Sequence, residues 1–226
     1  MAREFAGSTN TNRIDLSFSN TTQRSLSVWM WIDAYDTTAR RLYDHAGRGN
    51  VIIANDGGVD RVIHQCNFSG GNGEWKITGP AAGAWRHLAI THDASDPAND
   101  AVFYLDGVAQ SLTVDTNSSG TLTTGSATKS IGNRGGADRS FDGKIAEFAW
   151  FNRIITQDEI TGLANRYSPL FYNSGLVYYA RIGGINSPER DEIGGILGTV
   201  TGTTFFEHPA IIYPGGGANL LLMQAG

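Results

Sequence analysis

The chain has 226 residues, 40% of them apolar and 17% charged, with 29 glycines and a formal net charge of −5. Low charge with 5 Trp, 8 Tyr and 10 Phe supplies a core and excludes a disordered chain. The acidic balance, with basic residues only as singles or pairs, excludes the basic stripe that nucleic acid requires.

The opening, MAREFAGSTNTN, has no apolar core of a secretory signal. No apolar run approaches transmembrane length, so no membrane insertion is expected. A single cysteine, Cys66, leaves no intrachain disulfide.

In chain order, residues 13–18 alternate Ile14, Leu16 and Phe18 with polar neighbours, which predicts a half-buried strand. Residues 25–32 predict a second, with Leu26, Val28, Met30 and Ile32 on one face and Trp29 and Trp31 on the other. Two flat aromatic rings side by side can stack on sugar rings, or can pack against a second layer. Further strands are expected at Arg41–Asp44, Val51–Ala54, Arg61–Phe68 and Glu74–Thr78, punctuated by Gly and Asn/Asp turns.

Residues 85–92 and 101–105 form two apolar, β-prone runs around the turn DASDPAND. Asp106-Gly107 then predicts a type I′ reversal into Val108. Strands apolar on both faces belong inside a layered sheet. Short strands are expected at Ser111–Val114 and Ser130-Ile131. Thr156 with Glu159 three residues on forms a capping box and predicts a helix over about 157–165.

The motifs Trp85-x-His87-x-Ala89-x-Thr91-x-Asp93 and Tyr104-Leu105-Asp106-Gly107 resemble the laminin G-like branch of the concanavalin A-like jelly rolls. Phe5-Ala6-Gly7 is similar to the family's opening turn. A second block fits the pattern I-G…F-x-G-x-I-D-E-V-x-x-[FY]-N through Ile131-Gly132, Phe141-Asp142-Gly143-Lys144-Ile145, Glu147, Phe148 and Phe151-Asn152. Ala146 stands where the family usually has Asp, so any loop or cation support from that Asp is missing. The resemblance spans roughly residues 5–166. It implies an all-β fold, an antiparallel β-sandwich of jelly-roll type with one short helix, over residues 1–168.

Residues 169–226 are expected to form an extended, Gly-rich, apolar C-terminal arm. Leu176–Ala180 reads as one more strand and INSPERDEIGG as a turn-rich link. From Ile193 onward the only formally charged side chain is Glu207. The apolar residues Phe205, Phe206, Ile211, Ile212, Tyr213, Leu220, Leu221 and Leu222 would aggregate if left in water. They are candidates for an assembly interface, if they do not wrap onto the sandwich. The run GTVTGTTFFEHPAIIY resembles tails that follow laminin G-like domains in bacteriophage-type proteins.

Glucanases of this architecture carry alternating catalytic carboxylates on one strand. Here the only close acidic cluster is Glu189-Arg190-Asp191-Glu192, in a Pro/Gly link. No nucleophile elbow, zinc-protease motif or phosphate loop is present. His64 and Cys66 share a strand face, but a buried thiol is the commoner use of that spacing. The chain therefore reads as non-enzymatic, with no catalytic residues and no fixed metal ligands. Calcium is the one cofactor with candidate donors, Asp93, Asp96, Asp100, Asp138 and Asp142, all of which also suit turn capping.

Two functions follow. The first is a virion structural protein of a bacteriophage, a capsid decoration or cement subunit or a tail-associated subunit, that displays a lectin-like sandwich. Its partners would be other virion proteins and further copies in a homo-oligomer, with surface glycans as ligands. It would assemble in the host cytoplasm and leave by lysis. The alternative is a free carbohydrate-binding lectin module using Trp29 and Trp31 or the loop tips, with or without calcium.

Overall fold

The computed structural model describes residues 1–8, 11–19, 21–125, 127–183 and 187–215. Its strands in chain order are β1 (Ala2–Phe5), β2 (Arg13–Leu16), β3 (Gln23–Ile32), β4 (Arg40–His45), β5 (Gly49–Asp56), β6 (Val59–Cys66), β7 (Gly73–Thr78) and β8 (Trp85–Asp93). They continue with β9 (Val102–Leu105), β10 (Val108–Ala109), β11 (Thr113–Thr116), β12 (Lys129–Ile131) and β13 (Gly143–Phe151). After the helix α1 (Gln157–Ala164) and a 3₁₀ turn, Pro169–Phe171, come β14 (Leu176–Ala180), β15 (Glu189–Arg190), β16 (Leu197–Thr201) and β17 (Thr204–Phe206).

These form two antiparallel sheets packed face to face, an all-β sandwich of jelly-roll type with one α-helix. One sheet runs β10-β9-β8-β3-β13-β1-β17, with β14 also paired to β13. The other runs β11-β7-β6-β5-β4-β12-β2-β16-β15. The period-2 patterns decide which side chains enter the space between them. From β3 these are Leu26, Val28, Met30 and Ile32, from β8 Leu88 and Ile90, from β6 Val62 and from β13 Phe148, all buried in one cluster.

The β8–β9–β10 meander forms as expected, Leu88 opposite Leu105 and Tyr104 opposite Ala109. Asp106 and Gly107 both have positive φ, 49° and 84°, as a type I′ reversal requires. β8 is interior, whereas β9 lies next to the edge strand β10 and leaves Val102 exposed. The expected strand at Ser111–Val114 lies at Thr113–Thr116 instead.

Helix α1 carries the anticipated capping box: Thr156 accepts from Glu159 N, and Glu159 accepts from Thr156 N at 2.7 Å. Ile160 and Leu163 seat it on Ala89, Ala149 and Phe151, on the outside of the β3 sheet.

Strands from both sides of residue 168 share the sheets. β14 pairs with β13, β16 with β2, and β17 with β1. Strands β14, β16 and β17 thus complete the sandwich. β1, β15, β16 and β17 had no sequence expectation. Among the described residues, no helix is long and apolar enough to cross a membrane.

Candidate functional site

The outer face of the β4–β7 region forms a groove of about 280 Å³. Antiparallel register builds it as cross-strand rows. Ile52 lies opposite Ile63, and Ile63 opposite Lys76. The next row places Asn50 opposite Gln65, Gln65 opposite Glu74 and Glu74 opposite Thr116. The floor is apolar, made by Ile52, Ala54 and Ile63 with Ala39 against them.

The rim is polar and already ordered. Asn50 Nδ2 donates to Gln65 Oε1 at 3.0 Å, and Gln65 Nε2 donates to Glu74 Oε2 at 2.5 Å. Lys76 Nζ sits 2.8 Å from Asp56, 3.0 Å from Asp115 and 3.7 Å from Glu74. The hydrogen bond to Asp56 raises the Lys76 pKa, and the bond from Lys76 lowers that of Asp115. Three carboxylates face one ammonium, so the rim is rich in acceptors, with the Gln and Asn amides interleaved. An apolar floor inside a rim of fixed amides and carboxylates matches a ring with CH faces and a circle of hydroxyl donors.

The outer face of the opposite sheet holds the tryptophans. Trp29 is only 7% exposed. It packs with Ala2, Ala146 and Ile211, its ring 5.6 Å from that of His87. Its face is covered and not open to a ligand. Trp31 stays partly exposed, its Nε1 donating to Asp33 at 3.0 Å. Its ring neighbours are Trp85 at 6.2 Å and Phe206 at 5.5 Å. The two expected platform residues are therefore brought to one face, with only Trp31 accessible.

Part of what covers Trp29 is the C-terminal segment. Ile211 is buried on Trp29, and Phe206 lies on Trp31. Tyr213 is partly buried and donates to Glu147 Oε1 at 2.8 Å. Phe205 remains 42% exposed and Ile212 44%. Leu220, Leu221 and Leu222 lie outside the described residues.

Beside Tyr213 a cleft of about 480 Å³ opens between Met1, Arg181, Arg190 and His208. The acidic cluster expected in a loose link borders it and is structural. Glu189 accepts from Arg3 Nε at 2.7 Å, and Asp191 accepts from the backbone N–H groups of Tyr179, Ile193, Gly194 and Ile196.

The aspartates weighed for calcium are engaged separately. Asp93 accepts from Ser95 and Gln23, Asp96 from Ala98 N and Asp100 from Trp75 Nε1. Asp138 pairs with Arg134, and Asp142 accepts from Gly7 N. Among the described residues no three His, Cys, Asp or Glu side chains gather as a metal site. Cys66 is buried, which raises its thiol pKa, with Arg24 opposing. His64 turns its Nδ1 to Asn50 O at 3.0 Å and stacks on Trp75, so the two form no nucleophile–base pair.

Single strands did not reveal the groove, because its residues come from β5, β6, β7 and β11 and from the segment before β4 that carries Ala39. The signal was present as outward pairs, Ile52/Ala54, Ile63/Gln65 and Glu74/Lys76. Only the register aligns them.

The chain belongs to the concanavalin A-like lectin/glucanases superfamily, whose family model matches residues 6–161. No curated protein sequence matches it. Among solved structures it is similar to a protein from Bacteroides ovatus named for an inferred carbohydrate-binding role, with a TM-score of 0.66 and 19% identity. That match covers 93% of this chain and 61% of the Bacteroides protein, so this chain spans about three fifths of its relative's length. It is also similar to the heptameric SAP-like pentraxin of Limulus polyphemus, with a TM-score of 0.58 and 13% identity, covering 88% of this chain and 94% of the pentraxin.

Proposed function

We propose that this protein is a non-enzymatic, carbohydrate-binding β-sandwich whose ligand site is the groove over β5, β6 and β7. The observation that carries this reading is the apolar floor of Ile52, Ala54 and Ile63 inside the ordered Asn50–Gln65–Glu74 chain and the Lys76 cluster. The inferred carbohydrate role of the Bacteroides protein supports it. The non-enzymatic reading is supported by Glu189 and Asp191, whose carboxylates are engaged by Arg3 and by backbone amides.

The test is a glycan array followed by calorimetry on the full chain. Gln65→Ala combined with Glu74→Ala should weaken binding at least about tenfold, the loss of two rim hydrogen bonds, with unchanged melting. A chain that retains no glycan, or a double variant that binds as tightly, refutes the site. Repeating the array with and without calcium separates a calcium-dependent lectin from a metal-independent one.

A second reading adds the setting: a bacteriophage virion subunit, decoration, cement or tail-associated, that displays this groove and assembles with copies of itself and other virion proteins. It is favoured by the exposed cluster of Tyr167, Phe171 and Ile212, near the end of the described chain. Because β16 and β17 belong to the sheets, the informative truncation removes only residues 216–226. An oligomer by light scattering that becomes a monomer on this truncation supports assembly through the C-terminus. A monomer in both cases removes self-assembly from the reading.

A further inference from the structure

The groove over β5, β6 and β7 has a charge as well as a shape. Among the described residues its lining holds three acids, Asp56, Glu74 and Asp115, and one base, Lys76. Two negative charges are therefore in surplus. Register brings them to one end. Glu74 and Lys76 alternate outward on β7, and Asp56 ends β5. Asp115 lies at the bulge of β11, between Val114, opposite Trp75, and Thr116, opposite Glu74.

The base is covered and two of the acids are open. The Lys76 side chain is 11% exposed, against 46% for Asp56 and 47% for Asp115. The ammonium lies 2.8 Å from Asp56 and 3.0 Å from Asp115, so a single cation is shared between two half-open carboxylates. Glu74 is further occupied, its Oε2 accepting from Gln65 Nε2. A group arriving from solvent meets carboxylate oxygens before it meets the ammonium.

The surroundings do not remove the surplus. Asp36 pairs with Arg40 at 2.5 Å. Asp60, which accepts from Asn55 Nδ2, and Arg61, opposite Ala54, add one charge of each sign. Arg41, opposite Ile52, pairs with Asp44 at 3.5 Å. The negative end of the groove is thus the β7–β11 end, and the apolar floor of Ile52, Ala54 and Ile63 extends from it across β6 and β5.

We infer that the groove selects its glycan by charge. It takes a hexosamine with a free amino group, the ring on Ile52 and Ile63 and the ammonium toward Asp56 and Asp115, and it rejects uronic, sialic and sulfated sugars. The inference rests on the groove as the ligand site. A sugar ammonium brings three N–H donors and one positive charge to a rim whose open groups are acceptors. With it in place, two cations face three carboxylates. An acetamide at the same position brings one N–H and no charge. A sugar carboxylate or sulfate brings like charge to a surplus that Lys76 does not neutralise.

The test is calorimetry of the full chain at about pH 6, where amino groups hold their proton and aspartates do not. The probes are the tetramers of glucosamine, N-acetylglucosamine and galacturonic acid, and tetralysine, which carries the charges without the rings. The glucosamine tetramer should bind roughly three- to tenfold tighter than its N-acetylated form, the gain of exposed charge pairs, and tighter than tetralysine. The galacturonic acid tetramer should not bind. Asp56→Asn with Asp115→Asn should abolish the preference between the two glucosamine oligomers. No binding of the glucosamine tetramer, equal affinity for its N-acetylated form, binding of the galacturonic acid tetramer, or equal affinity for tetralysine overturns the inference. Gln65→Ala with Glu74→Ala separates the two failures. If that pair still weakens whichever glycan binds, the groove stands without the amine preference, and if it does not, both readings fall.

Discussion

Tyr213 donates its hydroxyl to Glu147 Oε1 at 2.8 Å, tying the C-terminal segment to a buried acid of β13. Glu147 sits where β13 bulges between Ala146 and Ala149 and has a φ of 55°. The bulge turns its carboxylate to the outer face. There Tyr179 donates to Oε2 at 2.5 Å and His208 Nε2 lies 3.1 Å from Oε1. Burial and this carboxylate raise both tyrosine pKa values well above the ordinary range. Tyr213→Phe should cost about 1–2 kcal/mol. Glu147→Ala, which strands Tyr179 and His208 as well, should cost about 3 kcal/mol or more. Urea midpoints measure both, and limited proteolysis should cut Tyr213→Phe faster between residues 205 and 215. An unchanged midpoint with unchanged cleavage would show that this contact does not fasten the segment.

Trp29 and Trp31 occupy one strand face but unequal environments. Trp29→Ala opens a cavity among Ala2, Ala146 and Ile211 and should cost about 3–5 kcal/mol. Trp31→Ala removes a ring with one side still in solvent and should cost about 1–2 kcal/mol. Denaturant titration of the two variants side by side checks the order. Equal losses would mean that Phe206 seals Trp31 as completely as Ile211 seals Trp29.

That inequality also marks how far the fold and site were legible in the sequence. Alternation within a strand told that Trp29 and Trp31 share a face, and the Asp106-Gly107 reversal and the Thr156 capping box are local chemistry that needs no partner. What covers that face comes from residues 206–213, nearly 180 positions away, and no local pattern encodes such contacts. β16 and β17 were missed for the same reason. LGTVT and TFF are short, their strand character is set by β2 and β1 as neighbours, and a low-charge Gly-rich stretch reads equally as an arm. The groove needed register, since Gln65 and Glu74 meet only when β6 and β7 are aligned. Arg24 and His92 extend inward rows that alternation alone could have followed to the core.

The resemblance motif at Phe141-Asp142-Gly143 has a steric cause. Gly143 has a φ of 152°, and a Cβ there would meet Trp31 O at 1.9 Å. Backbone, not a flexible side chain, stands in the way. Gly143→Ala should therefore cost at least about 3 kcal/mol by displacing β3 from β13. Gly57→Ala, at a φ of 61° with nothing within 4 Å, should cost only about 1 kcal/mol. Equal stabilities for the two variants would show that the strands separate freely at that point.

Acid should destabilise the sandwich through its buried imidazoles. His87 lies beneath Trp29, with Nε2 2.9 Å from Ser27 Oγ. Burial lowers its pKa to about 4, against the pull of Asp106. Between about pH 6.5, the unfolded value, and pH 4, the unfolded chain takes up a proton that the folded chain refuses. Stability therefore falls as pH falls through that window and is fully retained above it. Each such group contributes a slope of up to about 1.4 kcal/mol per pH unit. His45 and His92, both lowered to about 3 by burial first and neighbouring cations second, add to it. His87→Gln keeps a polar group beside Ser27 and cannot titrate, so its stability should fall less steeply from pH 6.5 to pH 4. Urea titrations at half-unit pH intervals read the slope directly, and parallel curves for the variant and the parent would mean that His87 is protonated in the folded state or reached by water.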